Sequence, residues 1–79
     1  MEPRMSGTYV TNRGGISYAY DGFWTEIEKT VRWDARVRRD GELVGTPNGF
    51  IEEVPRNSDI NALVRASIET AIEGKIDGG

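Results

Sequence analysis

The chain contains no cysteine and no histidine. The first absence rules out disulfides, and the two together close the usual nitrogen and sulfur ligand sets for zinc. They also remove the commonest general base and the best neutral-pH nucleophile. We therefore expect no enzyme, and no cofactor, metal or small-molecule site is evident. Long apolar runs are missing too. Nothing approaches the roughly 20 residues needed to cross a bilayer, and the opening "MEPRMSG" lacks the apolar stretch of a signal peptide. A soluble, cytoplasmic protein is expected, and the lack of cysteine suits a reducing compartment.

With 79 residues there is room for one core, at a size where only about 60% of the unfolded surface is buried on folding. Small domains usually recover stability from disulfides, a metal or oligomerisation. The first two are closed here by composition, which leaves association with another chain.

Charge is unevenly placed. The net charge is −3, yet residues 29–39 hold five basic side chains (Lys29, Arg32, Arg36, Arg38, Arg39) against one acid, Asp34. Both flanking regions are acidic. A field this mixed steers weakly at a distance, so any role in binding polyanions has to rest on the local patch.

Residues 1–15 are polar and glycine-bearing and read as a flexible tail, with residues 8–11 able to add an edge strand. "ISYAYD" then alternates Ile16, Tyr18 and Tyr20 against Ser17 and Ala19, the period of a half-buried strand, and ends in Asp21-Gly22. "TVRWDARVRR" alternates again, Val31, Trp33, Ala35 and Val37 against Arg32, Asp34, Arg36 and Arg38, and ends in Asp40-Gly41. Asp-Gly between apolar runs signals a hairpin, because both central residues of a type I′ turn need positive φ. A two-residue turn pairs Arg39 with Glu42; a three-residue turn pairs Arg38 with Glu42. Residues 23–30 fit an extended face or a helical one equally well, and a bend is expected near 26–30. Pro47 in "GTPNG" cannot donate to a ladder and should lie at an edge. "FIEEV" resumes as a short strand.

"NSDINALVRASIETAIEG" places Ile60, Leu63, Val64, Ile68, Ala71 and Ile72 at helical spacing, with Asn61, Arg65, Glu69 and Glu73 opposite. Asn57, Ser58 or Asp59 supplies the N-cap, and Gly74 is the natural stop unless the helix runs on to include Ile76. Residues 77–79 read as a disordered C-terminus. The expected fold is α+β: residues 16–76 form one domain, an antiparallel three- to four-stranded meander with Asp-Gly hairpins, packed against one C-terminal amphipathic helix. One helix covers about 10 Å, whereas three strands span roughly 14 Å. Some of the seven aromatics should therefore stay partly exposed.

Few chemical motifs compete with this reading. Glu26/Glu28 and Glu52/Glu53 are read as solvated carboxylates. "GTPNGF" and "NRGGIS" lack the glycine-loop-then-helix context of a phosphate site. The arginine stripe is the positive signal. Arg32, Arg36, Arg38 and Arg39, with Tyr18, Tyr20 and Trp24 as stacking aromatics, form the candidate binding surface. The plainer reading pairs the arginines with Glu42, Glu52 or Glu53 across strands and puts Trp33 in the core.

"VRRDGE", in a chain of strands followed by one helix, resembles small uncharacterised proteobacterial α+β proteins. That resemblance implies a bacterial source and no particular activity. "YAYDGFW", with the Ala- and Ile-rich helix, is similar in layout to antitoxin domains of the HicB type over residues 16–72. The expected function is a non-enzymatic protein-interaction module, binding a protein partner or forming a homodimer through an open sheet face or edge. The alternative is weak nucleic-acid binding through the arginine stripe at 32–39.

Overall fold

In a computed structural model the chain is an antiparallel sheet backed by one C-terminal helix. Residues 4–55 and 57–76 are described. The sheet is a meander: β1 (Arg4–Val10), β2 (Ser17–Ile27), β3 (Thr30–Arg39), β4 (Glu42–Gly45) and β5 (Asn48–Ile51). β4 and β5 lie end to end along the same side of β3, so the sheet is four strands wide in the order β1-β2-β3-(β4, β5). Between them Pro47, which has no N–H to give, offers its carbonyl to the Ala35 N–H at 2.9 Å, which keeps the ladder continuous across the break.

Three sequence expectations are corrected. Asp21-Gly22 is not a turn. Both residues lie inside β2, opposite Arg36 and Ala35. Asp21 accepts a hydrogen bond from Arg38 at 2.9 Å, and a Cβ on Gly22 would sit 3.1 Å from Ile68 Cδ1. The pair is there for packing and charge. Secondly, much of the expected tail is the seven-residue strand β1, held to β2 in an unbroken register from Arg4↔Phe23 to Val10↔Ser17. Residues 1–3, and the C-terminal residues 77–79 expected to be disordered, lie outside the described residues. Thirdly, Gly74 does not end the helix, and of the two extents expected the longer one, through Ile76, is found. α1 (Ile60–Ala71) runs into a π-helical turn, Ile72–Ile76, that carries Ile76 onto the core.

β2 reverses into β3 at Glu28-Lys29, with Ile27 opposite Thr30 and Glu28 at φ 59°. Residues 23–27 are thus strand, and the bend falls within the expected window. β3 reverses into β4 through Asp40 and Gly41, at φ 53° and 81°, with Arg39 opposite Glu42. A bulge between Val37 and Arg38 then sets Val37 opposite Gly45.

The core forms on one side of the sheet. Tyr18, Tyr20, Val31, Trp33, Ala35 and Val37 meet Val64, Ile68 and Ile72 of the helix, and all are buried. Asp59 caps the helix by accepting from the Ala62 N–H at 3.2 Å. The polar flank of the helix, opposite its apolar stripe, is used as well. Asn61 Oδ1 accepts from Trp24 Nε1 at 2.7 Å, Glu69 Oε2 from the Tyr20 hydroxyl at 3.3 Å, and Glu73 Oε1 from the Tyr9 hydroxyl at 2.8 Å. Glu73 also accepts from the Asn12 N–H. Those bonds, with Arg13 nearby, hold its carboxyl below the ordinary range despite partial burial. The Glu73 bonds tie β1 and the residues after it to the C-terminal end of the helix, and Asn61 and Glu69 tie β2 along its length.

Candidate functional site

The helix covers one face of the sheet, and residue alternation sends every second side chain to the other. Register places Arg4, Phe23, Asp34 and Asn48 in one row across this open face. Ser6, Asp21 and Arg36 form the next row, and Thr8, Ala19, Arg38 and Leu43 the one beyond. On the other side of the first row lie Thr25, Arg32 and Phe50. A depression of about 620 Å³ opens among Arg4, Ser6, Phe23, Asp34, Arg36 and Asn48.

Three of the four expected arginines, Arg32, Arg36 and Arg38, do share this face. Arg39 follows Arg38 and so has the opposite parity, at the exposed end beside the turn. The expected carboxylate partners are replaced. Arg38 pairs with Asp21 at 2.9 Å and Arg32 with Asp34 at 3.8 Å, and among the described residues Glu42, Glu52 and Glu53 form no ion pair. Both observed pairs are solvent-exposed, so each contributes at most about 1 kcal/mol. Arg4 and Arg36 form no ion pair among the described residues. The face thus carries four arginines against Asp21 and Asp34, a positive surface on an acidic chain.

The expected aromatic members are not available there. Tyr18 and Tyr20 are buried beneath the helix, and Trp24 packs against the core with its indole N–H on Asn61. Burial, followed by the charge of Glu69, pushes the Tyr20 hydroxyl above the ordinary phenol range. Phe23 and Phe50 take their place, 37% and 68% exposed. The described residues have six strongly exposed large apolar side chains. Val10, Phe23, Ile27, Leu43 and Phe50 all have open-face parity, and Val44 sits at the bulge. Phe23 was legible in principle. Reading "SYAYDGFW" as one uninterrupted strand puts Phe23 on the side opposite Tyr18, Tyr20 and Trp24.

The carboxylates set aside from sequence lie elsewhere. Glu26, Glu28 and Glu53 border a depression at the hairpin end together with Lys29. Among the described residues no group of three acids is placed to hold a metal ion, and no helix is long and apolar enough to cross a membrane.

Fold and site define a small α+β domain with one covered and one open sheet face. No protein-family model, curated protein or solved structure matches this chain. The likeness to small proteobacterial proteins and to HicB-type antitoxins gains no support from these comparisons.

Proposed function

We infer that this domain is a protein-binding module that uses the open face of its sheet. One observation carries the reading: five of the six exposed large apolar side chains share that face with four arginines. Phenylalanine and arginine are enriched at protein interfaces, whereas scattered single apolar residues need no explanation. The partner is expected to bring acidic groups to Arg4 and Arg36 and apolar groups to Phe23 and Phe50. Asp21 and Asp34 in the middle of the face disfavour a uniform polyphosphate and suit a partner of mixed polarity.

A second reading, single-stranded nucleic acid, is favoured by register. Phe50 stands directly across from Arg32, and Phe23 across from Arg4, which sets a stacking ring beside a phosphate-binding cation twice over.

Capture from cell extract with the wild-type domain should yield a protein lost from both Phe50→Ser and Arg36→Glu but kept by Arg65→Glu on the helix. Equal capture by all four would overturn the reading. Anisotropy of a labelled random single-stranded oligonucleotide decides the alternative. Affinity that collapses between 50 and 200 mM salt, as release of counterions from three or four phosphate contacts requires, would replace the first reading by the second.

A further inference from the structure

The two edges of the sheet are built differently. The β4/β5 edge is made of two four-residue strands, interrupted by a bulge and by Pro47. Short strands, bulges and proline are the usual protections against edge-to-edge pairing. β1 has none of them. It is seven residues long and unbroken in register, and Arg4 is its one charged side chain.

The ladder fixes which β1 groups are free. Thr11 donates its N–H to the Ile16 carbonyl at 3.0 Å, just beyond the Val10↔Ser17 pair. Hydrogen-bonded and non-hydrogen-bonded pairs alternate in an antiparallel ladder, so Tyr9, Gly7 and Met5 also bond inward to β2. Arg4, Ser6, Thr8 and Val10 then turn their N–H and C=O groups to the outer edge, and all four are exposed.

We propose that β1 pairs antiparallel with β1 of a second copy of this chain, centred on Gly7 opposite Gly7, to form one continuous sheet. The register follows from the free groups. Centred on Gly7, Arg4 faces Val10 of the second copy and Ser6 faces Thr8, so all four outward residues of each strand enter hydrogen-bonded pairs. Centring on Ser6 or on Thr8 uses only three. In the proposed register Met5 meets Tyr9 on the helix side, two hydroxyl residues meet on the open side, and no like charges are opposed. The two Arg4 side chains lie at opposite ends of the paired strands, roughly 20 Å apart. Glycine at the centre suits the close approach of a non-hydrogen-bonded pair. Such an interface is symmetric and closed, as a two-fold dimer requires. It is independent of what the open face binds.

Sedimentation of the wild-type chain should show a monomer–dimer equilibrium. Ser6→Lys with Thr8→Lys opposes like charges twice and should weaken it about tenfold or more. Ser6→Lys with Thr8→Glu should restore it, because lysine meets glutamate only when the strands centre on Gly7; either neighbouring register sets like charges together. Hydrogen exchange of the unmodified chain gives a readout free of any folding defect. Amides of Ser6, Thr8 and Val10 should gain protection as concentration rises, while those of Met5, Gly7 and Tyr9 stay protected throughout. A wild-type monomer at about 1 mM, a dimer without that protection, or a lysine-glutamate variant as weak as the double lysine would each overturn the proposal. Arg36→Glu should leave the dimer intact, which separates failure of the edge from failure of the face.

Discussion

Gly22→Ala isolates the feature that most changes the reading of this chain. In the middle of a strand, replacing glycine by alanine should help by about 0.5–1 kcal/mol, since glycine loses more backbone freedom on folding. Here the new Cβ would stand 3.1 Å from Ile68 Cδ1 and 3.0 Å from the Asp34 carbonyl oxygen. Overpacking of this kind costs about 1–3 kcal/mol, so a net loss of about 1–2 kcal/mol is expected. Ile68 is fully buried, and Ile68→Val alone should cost about 0.5–1.5 kcal/mol. Ile68→Val also deletes the very methyl that the new Cβ meets. The double variant should accordingly be more stable than the sum of the singles implies, by about 0.5–1 kcal/mol; the Asp34 carbonyl keeps the relief incomplete. Urea unfolding followed by tryptophan fluorescence measures all three, and for a domain of this size 1 kcal/mol moves the melting temperature by about 4–8 °C. Additivity within about 0.3 kcal/mol, or a stabilising Gly22→Ala, would refute the packing argument. A glycine needed for a left-handed turn would give the same loss with or without Cδ1 of Ile68.

Two further outcomes follow from the same structure. Glu73 has its carboxyl pKa lowered chiefly by the Asn12 N–H and the Tyr9 hydroxyl, so the stability it lends is complete above the ordinary carboxylate value and fades as pH falls through the lowered one. Thermal melts from pH 7 to pH 3 should show this loss in the wild type and a flatter profile in Glu73→Gln; identical profiles would place the acid sensitivity elsewhere. Gly41→Ala meets no atom within 4 Å, but its φ of 81° makes it cost about 1–2 kcal/mol in backbone strain alone, read by urea unfolding; a neutral substitution would contradict that backbone geometry.

The sheet-and-helix architecture was legible because its signals are periodic. Val31 to Val37 alternate cleanly, and Val64, Ile68 and Ile72 repeat at helical spacing, so both apolar faces could be drawn before the strands were assembled. Turn chemistry misled in two opposite ways. Asp21-Gly22 has the composition of a turn but sits in a strand, where tight helix–sheet packing requires glycine. Glu28-Lys29 has no turn signature and yet reverses the chain, with Glu28 held at φ 59° by the long hairpin on either side. The site was lost through the first of these errors. Breaking β2 at Asp21 resets the strand phase and hides Phe23, whereas Tyr18 and Tyr20 lie on the alternating face with Ile16 and are buried beneath the helix. β1 was legible only in part, as an edge strand at 8–11, because its small polar residues carry almost no apolar period; it is held instead by the ladder to β2 and by Tyr9 on Glu73.

These observations bear on why the open face stays open. A four-stranded sheet with one helix leaves half its surface in water, and burying five exposed apolar side chains there would contribute far more than the two exposed ion pairs do. Nothing else in the described residues covers that face, whereas the protected β4/β5 edge shows that unwanted association is managed where it arises. Pairing through β1 would leave the face uncovered and double it. The order β2-β1-β1-β2 sets the two Phe23 side chains about 14 Å apart across the strands and about 20 Å apart along them, on one continuous surface. A partner long enough to reach both would engage two sites through one sheet, and its second contact would form at high effective concentration. Breaking the edge with Thr8→Pro, which removes an N–H turned to the second copy at a position outside the depression, should then weaken such a partner, whereas a short ligand confined to one depression would not register the change.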